Sequence, residues 1–259
     1  MPATSRSRLA AGRARCDDAG WMVKLPHFPL HTVLFPHLPL PIHVFEERYR
    51  AMARDVMAAD SPYGGRVVVS MITDGREVGG DAVAQSVGTV CEVRSAEQFP
   101  DGRWLLLVVG IFRVRLGEVD RSGPYALVEA GELPEPMGDE AASLVPRVQR
   151  ALDAYLATVK RFVARTASVG EQSQELPDVT ASLDEVLKPI RLPDDPVAAS
   201  YGVAGVLQIE LSRKQQLLEL PDAATRLRTE LELLRREVRF LEADPMPPMT
   251  AGDLGYHPN

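Results

Sequence analysis

The segment from Leu25 to Arg50 constrains the fold most, because five prolines interrupt an otherwise apolar run, LPHFPLHTVLFPHLPLPIHVFEERYR. Proline fixes φ and lacks an amide hydrogen, so a helix cannot run through this segment. The residue before each proline is also held in an extended conformation. After Phe45 the composition changes to helix-forming residues, with Glu46 and Glu47 in the first turn, where carboxylates act as helix caps. The segment therefore predicts a strand, a kinked crossover, a second edge strand and a helix over residues 46–59.

Apolar runs separated by turn residues follow this helix and predict a β-rich region. Pro100-Asp101-Gly102 predicts a hairpin, and the strand after it is long enough to need a bend, which we place at Gly110. Beyond the bend, apolar residues alternate with Arg113 and Arg115, which are predicted to point to solvent. Short strands joined by turns indicate a small sandwich or a partly open barrel. The predicted strands lie at 67–72, 87–99, 103–119 and 125–133.

The pattern becomes helical after Pro134-Glu135-Pro136. A first long helix is predicted to end near Arg165, and residues 166–194 are interpreted as a surface connection with a short helix at 182–188. Three helices follow, and Asp195-Pro196 resembles an N-cap followed by proline at the first helical position. The residues predicted to cap or open these helices are Asp139, Asp195, Ser212 and the pair Pro221-Asp222.

The last helix carries apolar residues at alternating spacings of four and three, which is a heptad pattern. The preferred interpretation is an ordinary bundle helix that packs on its neighbours. The alternative is self-association through residues 221–243. The apolar positions are Leu220, Ala224, Leu227, Leu231, Leu234, Val238 and Leu241.

Several of these motifs resemble a known family. FPLHTVLFPHLPLPIHVFEERYR is similar to the opening signature of the Lon protease amino-terminal domain, the substrate-binding domain of that family. REVGG, SVGTV, FPDGRWLLLVVGIFRVR, GPYALVEAGEL and KQQLLELPDAATRL resemble its later motifs in the same order, so the resemblance runs from about Lys24 to Ala243. One position departs from the family pattern: His37 follows Pro36 where the family commonly has glycine. The resemblance implies a PUA-like β-barrel and a substrate-binding role.

Together, the pattern and the resemblance predict an α+β fold, with a PUA-like barrel or sandwich followed by a C-terminal helical bundle. The expected divisions are a disordered extension at 1–22, the β-rich part at 23–134, the bundle at 135–243 and a disordered tail at 244–259.

The sequence offers no catalytic group and no nucleotide or cofactor site. A phosphate-binding loop needs a Gly-Lys pair, and the chain contains none. Ser70 and Ser86 lack the surroundings of a nucleophile elbow. Since 16 residues follow Ala243, we expect a stand-alone domain without ATPase or peptidase domains, and not an enzyme.

Composition and charge argue against several further classes of function. A net charge of −7 argues against a general nucleic-acid binder. The two cysteines, Cys16 and Cys91, form no disulfide framework or metal motif, which favours a reducing cytoplasm. No apolar run approaches the roughly 20 residues that a membrane span needs. Four histidines, His27, His31, His37 and His43, leave a zinc site as the minor alternative to structural roles.

The favoured function is non-catalytic recognition of unfolded or exposed apolar polypeptide, as an adaptor in protein quality control that works with a separate ATP-dependent protease or chaperone. The alternatives are a PUA-like RNA-binding module and a small-molecule or enzymatic site in the cleft between the two halves. Phe99 and Trp104 are expected to face each other across the hairpin, and core packing is the competing interpretation for every candidate. The candidate partner-binding residues are Phe35, Leu38, Leu40, Phe99 and Trp104.

Overall fold

A computed structural model describes residues 22–79, 82–169 and 190–243. The predictions for the leader, the tail and the helix at 182–188 lie outside these residues. The strands are β1 (Met22–Leu30), β2 (Pro39–Val44), β3 (Arg66–Asp74), β4 (Val83–Ala84), β5 (Val87–Gln98), β6 (Trp104–Asp120) and β7 (Leu127–Glu132). The helices are α1 (Glu47–Met57), α2 (Ala141–Val169), α3 (Pro196–Val206), α4 (Leu211–Glu219) and α5 (Ala223–Ala243).

Five strands close on themselves in the order β1, β7, β6, β5 and β3, because β1 pairs antiparallel with β7 and parallel with β3. β6 is long enough to hold two partners on one edge: β7 pairs with its second half and β2 with its first half. β2, the second half of β5 and the start of β6 therefore extend beyond the closed barrel. The α+β prediction is confirmed, with a strand-rich N-terminal part and a helical C-terminal part.

Gly110 is the predicted irregularity in β6, and the register of β5 against β6 shifts there. A Cβ atom at Gly110 would overlap the backbone of Phe35. Only glycine therefore allows the crossover between β1 and β2 to approach β6 this closely. The Gly110 amide donates to the Leu38 carbonyl oxygen at 3.0 Å, and the His37 amide donates to the Gly110 carbonyl oxygen at 2.8 Å. The crossover is thus fixed to the middle of β6.

His37 has a φ of 67°, in the left-handed region that glycine occupies without steric cost. This backbone conformation gives a physical reason for the glycine of the family pattern at this turn. The chain keeps the turn despite carrying histidine.

The helical part follows most of its sequence signals. Asp195 caps α3 by accepting hydrogen bonds from the Val197 and Ala198 amides, and Asp222 accepts one from the Thr225 amide at 2.7 Å. The apolar heptad of α5 packs mainly against α2 of the same chain, as expected for a bundle helix. No helix of the described residues is long and apolar enough to cross a membrane.

Several local predictions were wrong. Ser212 is the second residue of α4, which begins at Leu211, and Glu46 precedes α1 without a capping hydrogen bond, because its carboxylate pairs with Arg48. α2 begins at Ala141, two residues after the cap predicted at Asp139.

Arg113 was predicted to face solvent but is buried, with only 3% of its surface exposed. Its guanidinium donates to the Leu218, Leu220 and Pro134 carbonyl oxygens and pairs with Glu135 at 2.6 Å. The middle of β6 lies against the helical part, so the outward face of the strand is covered at Arg113. We call Arg113, Glu135 and Arg226 the arginine seam, since Arg226 of α5 pairs with the same carboxylate at 3.0 Å.

Candidate functional site

The five candidate residues separate into three places. Phe35 is 1% exposed and packs in the core of the helical part, so it is a core residue. Leu38 packs against the same core beside Gly205 of α3. These two residues join the crossover to the helices and are not brought together with the other three candidates.

Leu40 and Trp104 are half-buried against the core of the barrel. Phe99 lies at the hairpin between β5 and β6, where its amide donates to the Arg103 carbonyl oxygen at 2.9 Å. Trp104 pairs with Gln98, so Phe99 and Trp104 are not the directly opposed pair that was expected. A binding role for the five residues stays a prediction.

The part of the sheet beyond the closed barrel presents an apolar outer face that the sequence did not single out. Leu105 and Leu107 of β6 are 41% and 37% exposed, whereas Leu106 between them is 2% exposed. Their register partners on β2 are His43 and Pro41, which lie on the same outer face because directly paired residues share one side of a sheet.

Aromatic rings continue this face at its edge. The His43 ring lies 6.0 Å from the ring of Phe45 and 6.4 Å from the ring of Phe99. Phe45 is 51% exposed, and the Arg103 guanidinium lies 5.9 Å from the centre of the Phe99 ring. We call this surface the apolar tip, which consists of Pro41, His43, Phe45, Phe99, Leu105 and Leu107.

A sequence signal for the tip exists in the run WLLLVV of β6. A strand with one buried face alternates apolar and polar residues, whereas this run is apolar on both faces. Such a run indicates either cover on both sides or an exposed apolar face. The structure places Leu105 and Leu107 on an exposed face.

A groove of about 330 Å³ lies on the other side of β2, along its unpaired edge. Phe28 and Tyr49 form its floor, with ring centres 4.3 Å apart, and burial raises the pKa of Tyr49 to about 12. Phe45 and Val78 form its exposed rim. The groove is therefore apolar inside and adjoins the apolar tip through Phe45.

Charged groups lie at one end of this groove. Arg48 pairs with the Glu46 carboxylate at 3.1 Å and donates to the Glu77 carbonyl oxygen at 3.0 Å. The Glu77 carboxylate accepts a hydrogen bond from the His31 amide at 3.1 Å. With two carboxylates and one guanidinium, this end carries one net negative charge.

The four histidines that the structure describes do not converge on one site. His27 is buried in the barrel and its Nε2 lies 2.7 Å from the Ser70 hydroxyl, and burial lowers the pKa of His27 to about 4. His31, His37 and His43 are exposed. Within residues 22–79, 82–169 and 190–243, no three His, Cys, Asp or Glu side chains are grouped to hold a metal ion.

Comparison with known proteins identifies one family for most of the chain. Residues 24–236 match the family described as the ATP-dependent protease La (LON) substrate-binding domain. The chain is 27% identical over 222 residues to a Lon protease of Trichlorobacter lovleyi, covering 84% of this chain and 24% of that protein. It is 24% identical over 225 residues to the Lon protease of Escherichia coli, covering 86% of this chain and 26% of the relative. The chain thus spans about a quarter of the length of these relatives.

Two solved structures share the fold. One is the N-terminal domain of the Mycobacterium avium complex Lon protease, with a TM-score of 0.55 and 20% identity, covering 82% of this chain and 98% of that one. The other is a Lon N-terminal domain protein from Xanthomonas campestris, with a TM-score of 0.54 and 21% identity, covering 81% and 98%. Since the family match extends over most of the sequence, this chain belongs to the Lon substrate-binding domain family.

Proposed function

We propose that this chain binds unfolded or locally exposed apolar polypeptide through the apolar tip. The observation that carries the proposal is the exposure of Leu105 and Leu107 on a regular strand, where the neighbouring Leu106 supplies the core contact. Exposed apolar side chains grouped in one place mark binding surfaces, whereas single ones are ordinary. The family match supports a polypeptide as the ligand, because the family is a substrate-binding domain.

The chemistry of the tip favours a weak and sequence-tolerant interaction. Covering the exposed part of one leucine is worth about 1 kcal/mol, given about 25 cal/mol per Å² of apolar surface. Rings such as Phe45 and Phe99 add stacking and cation contacts without demanding a particular partner. A surface of this kind recognises apolar side chains that a folded protein would conceal.

The wider role that we propose is that of an adaptor in protein quality control. The tip would hold a client polypeptide while a separate ATP-dependent protease or chaperone acts on it. The relatives named above are Lon proteases, which supports a proteolytic partner for the client. No catalytic step is assigned to this chain.

A double substitution, Leu105→Ser with Leu107→Ser, tests the proposal. The probe is a fluorescent, reduced and carboxymethylated protein that cannot fold, and anisotropy measures its binding. We expect binding to weaken at least about tenfold, since central apolar contacts dominate such surfaces. Leu211→Ser is the matched control, because Leu211 is 39% exposed on α4, away from the tip. Equal binding by the double variant and the control would refute the proposal.

The RNA-binding alternative is tested in the same assay with a labelled single-stranded RNA. Binding of RNA that is unchanged by the double substitution, with no binding of the unfolded protein, would favour that alternative.

A further inference from the structure

The unpaired edge of β2 has an unusual arrangement of backbone donors and acceptors. Among the described residues β2 pairs with β6 alone, so one edge of the strand has no partner strand. The Leu38 carbonyl oxygen accepts a hydrogen bond from the Gly110 amide, so the backbone groups of Leu38 point toward β6. The direction of the backbone groups alternates from residue to residue along an antiparallel strand. The backbone groups of Leu40 and Ile42 therefore also point toward β6.

Pro39, Pro41 and His43 must then direct their backbone groups away from β6. The two prolines fit this position because they have no amide to contribute to the ladder. The free edge consequently offers three carbonyl acceptors but a single amide donor, that of His43. Such an edge is a poor partner for a second copy of itself, since two donor-poor edges cannot satisfy each other.

The same edge suits a strand of another molecule that supplies backbone amide donors. The groove runs beside β2 and is lined by Leu40 through Val44 together with Phe28, Tyr49 and Val78. Side chains of a strand laid along this edge would enter that apolar space. β2 has six residues, so the matching segment is about 20 Å long.

Charge at the end of the groove defines the ligand further. The Arg48 guanidinium is paired with Glu46, whereas the half-buried Glu77 carboxylate accepts from a backbone amide. The excess negative charge complements a lysine or arginine. A second copy of this acidic chain, at −7 overall, is a less suitable occupant than a basic peptide.

We infer that the free edge of β2 binds an extended peptide segment of another protein by strand addition. The segment donates its amides to the Pro39, Pro41 and His43 carbonyl oxygens, places apolar side chains in the groove and brings a cationic side chain to Glu77. This inference rests on the proposed function and names its ligand class: extended, proline-free segments that combine apolar residues with a basic one.

Backbone methylation tests the strand addition. The probe is a fluorescent nine-residue peptide of alternating leucine and threonine with one lysine near an end. The amides of a strand point alternately to its two sides, so methylating the set that faces β2 should weaken binding about fivefold per methyl group. Methylating the other set is the matched control and should leave affinity unchanged. Equal effects of the two sets would overturn the inference.

Glu77→Gln tests the charge. We expect this variant to bind the lysine peptide about threefold more weakly, as for a partly exposed ion pair, and to bind a lysine-to-alanine peptide as wild type does. Glu97→Gln is the control, because Glu97 is an exposed carboxylate on β5, paired with Leu105 beside the tip. A Glu77 variant that keeps the full lysine preference would refute the assignment of Glu77.

The two proposals fail in different ways. If the tip substitutions abolish binding of the unfolded protein while both methylated peptides bind alike, the strand-addition inference is wrong and the proposed function stands. If neither the unfolded protein nor the peptide binds, both are wrong.

Discussion

The arginine seam and the apolar tip reverse the usual distribution of residue types between interior and surface. Arg113 and Arg226 are almost fully buried, while Leu105, Leu107 and Phe45 are exposed on the part of the molecule that extends beyond the closed barrel. Buried charge is costly unless every group is paired, and exposed apolar surface gains nothing for the folded chain. The seam is therefore a structural feature in which each group has a partner, whereas the tip is a surface that no other described residue covers.

The seam stabilises the end of α4 as well as the contact between the two parts. The last carbonyl groups of a helix lack partners within it and carry partial negative charge. Arg113 binds the Leu218 and Leu220 carbonyl oxygens, and Arg226 binds the Leu217 oxygen at 2.9 Å. Glu135 accepts from both guanidinium groups and from the Tyr201 hydroxyl. Two cations and one shared carboxylate thus join β6 to α4 and α5.

Removing the shared carboxylate should produce the largest effect. In Glu135→Gln, both buried arginines lose the carboxylate with which they form ion pairs, so we expect the free energy of unfolding to fall by about 3–5 kcal/mol, as when one partner of a buried ion pair is removed. Urea denaturation followed by circular dichroism measures this change.

Glu132→Gln serves as the control for Glu135→Gln, since Glu132 is an exposed carboxylate on β7, and its effect should stay within about 0.5 kcal/mol. A loss no larger for Glu135→Gln than for Glu132→Gln would mean that the seam is not what joins the two parts.

Alanine substitutions at neighbouring leucines should separate the tip from the core beneath it. Leu106→Ala leaves a cavity in the barrel and should cost about 3 kcal/mol of unfolding free energy. Leu105→Ala and Leu107→Ala truncate side chains on the outer face, which are 41% and 37% exposed, and should lower it by less than about 1 kcal/mol. Thermal and urea unfolding of the three variants provide the comparison. Similar losses at all three positions would show that the tip is structural.

His27 provides an intermediate case, a buried titratable group with no counter-charge among the described residues. Burial lowers its folded pKa from the usual 6.5 to about 4, so the unfolded chain takes up a proton first as pH falls. The stability that neutral His27 provides is complete above about pH 6.5 and is lost progressively between pH 6.5 and 4. We expect a loss of about 2 kcal/mol across this range, at about 1.4 kcal/mol per pKa unit after allowance for solvent screening.

The measurement is the difference in unfolding free energy between wild type and His27→Gln as a function of pH, which removes the contribution of the carboxylates common to both. A flat difference between pH 6.5 and 4 would contradict the assignment. His31→Gln is the control, because His31 is exposed.

The sequence predicted the features that depend on local chemistry. The prolines of the opening segment, the Asp195 and Asp222 caps and the α5 heptad each determine structure within a few residues, and the strands and helices follow them. Gly110 was recognisable because a long strand needs a bend.

Features that depend on distant contacts were not predictable in this way. Alternation along β6 assigned Arg113 to solvent, but the Leu218 carbonyl oxygen that it binds lies 105 residues further along the chain. Leu105 and Leu107 alternate with buried residues as on the outer face of any strand, and only the tertiary fold determines that they stay exposed among the described residues. Phe35 was selected as a loop residue, but the helices bury it.

His37 lies in the crossover between β1 and β2, and its substitution should have the smallest effect on stability. Its left-handed φ of 67° costs histidine more than glycine, so His37→Gly should raise the free energy of unfolding by about 0.5–1 kcal/mol. The gain is limited because the His37 ring, 6.2 Å from that of Tyr201, is lost and glycine is more flexible in the unfolded chain. His43→Gly is the control: His43 lies within β2, where glycine weakens a strand, so stability should fall. If His37→Gly also destabilises, the ring contact outweighs the backbone cost, and the histidine is itself part of the junction between barrel and helices.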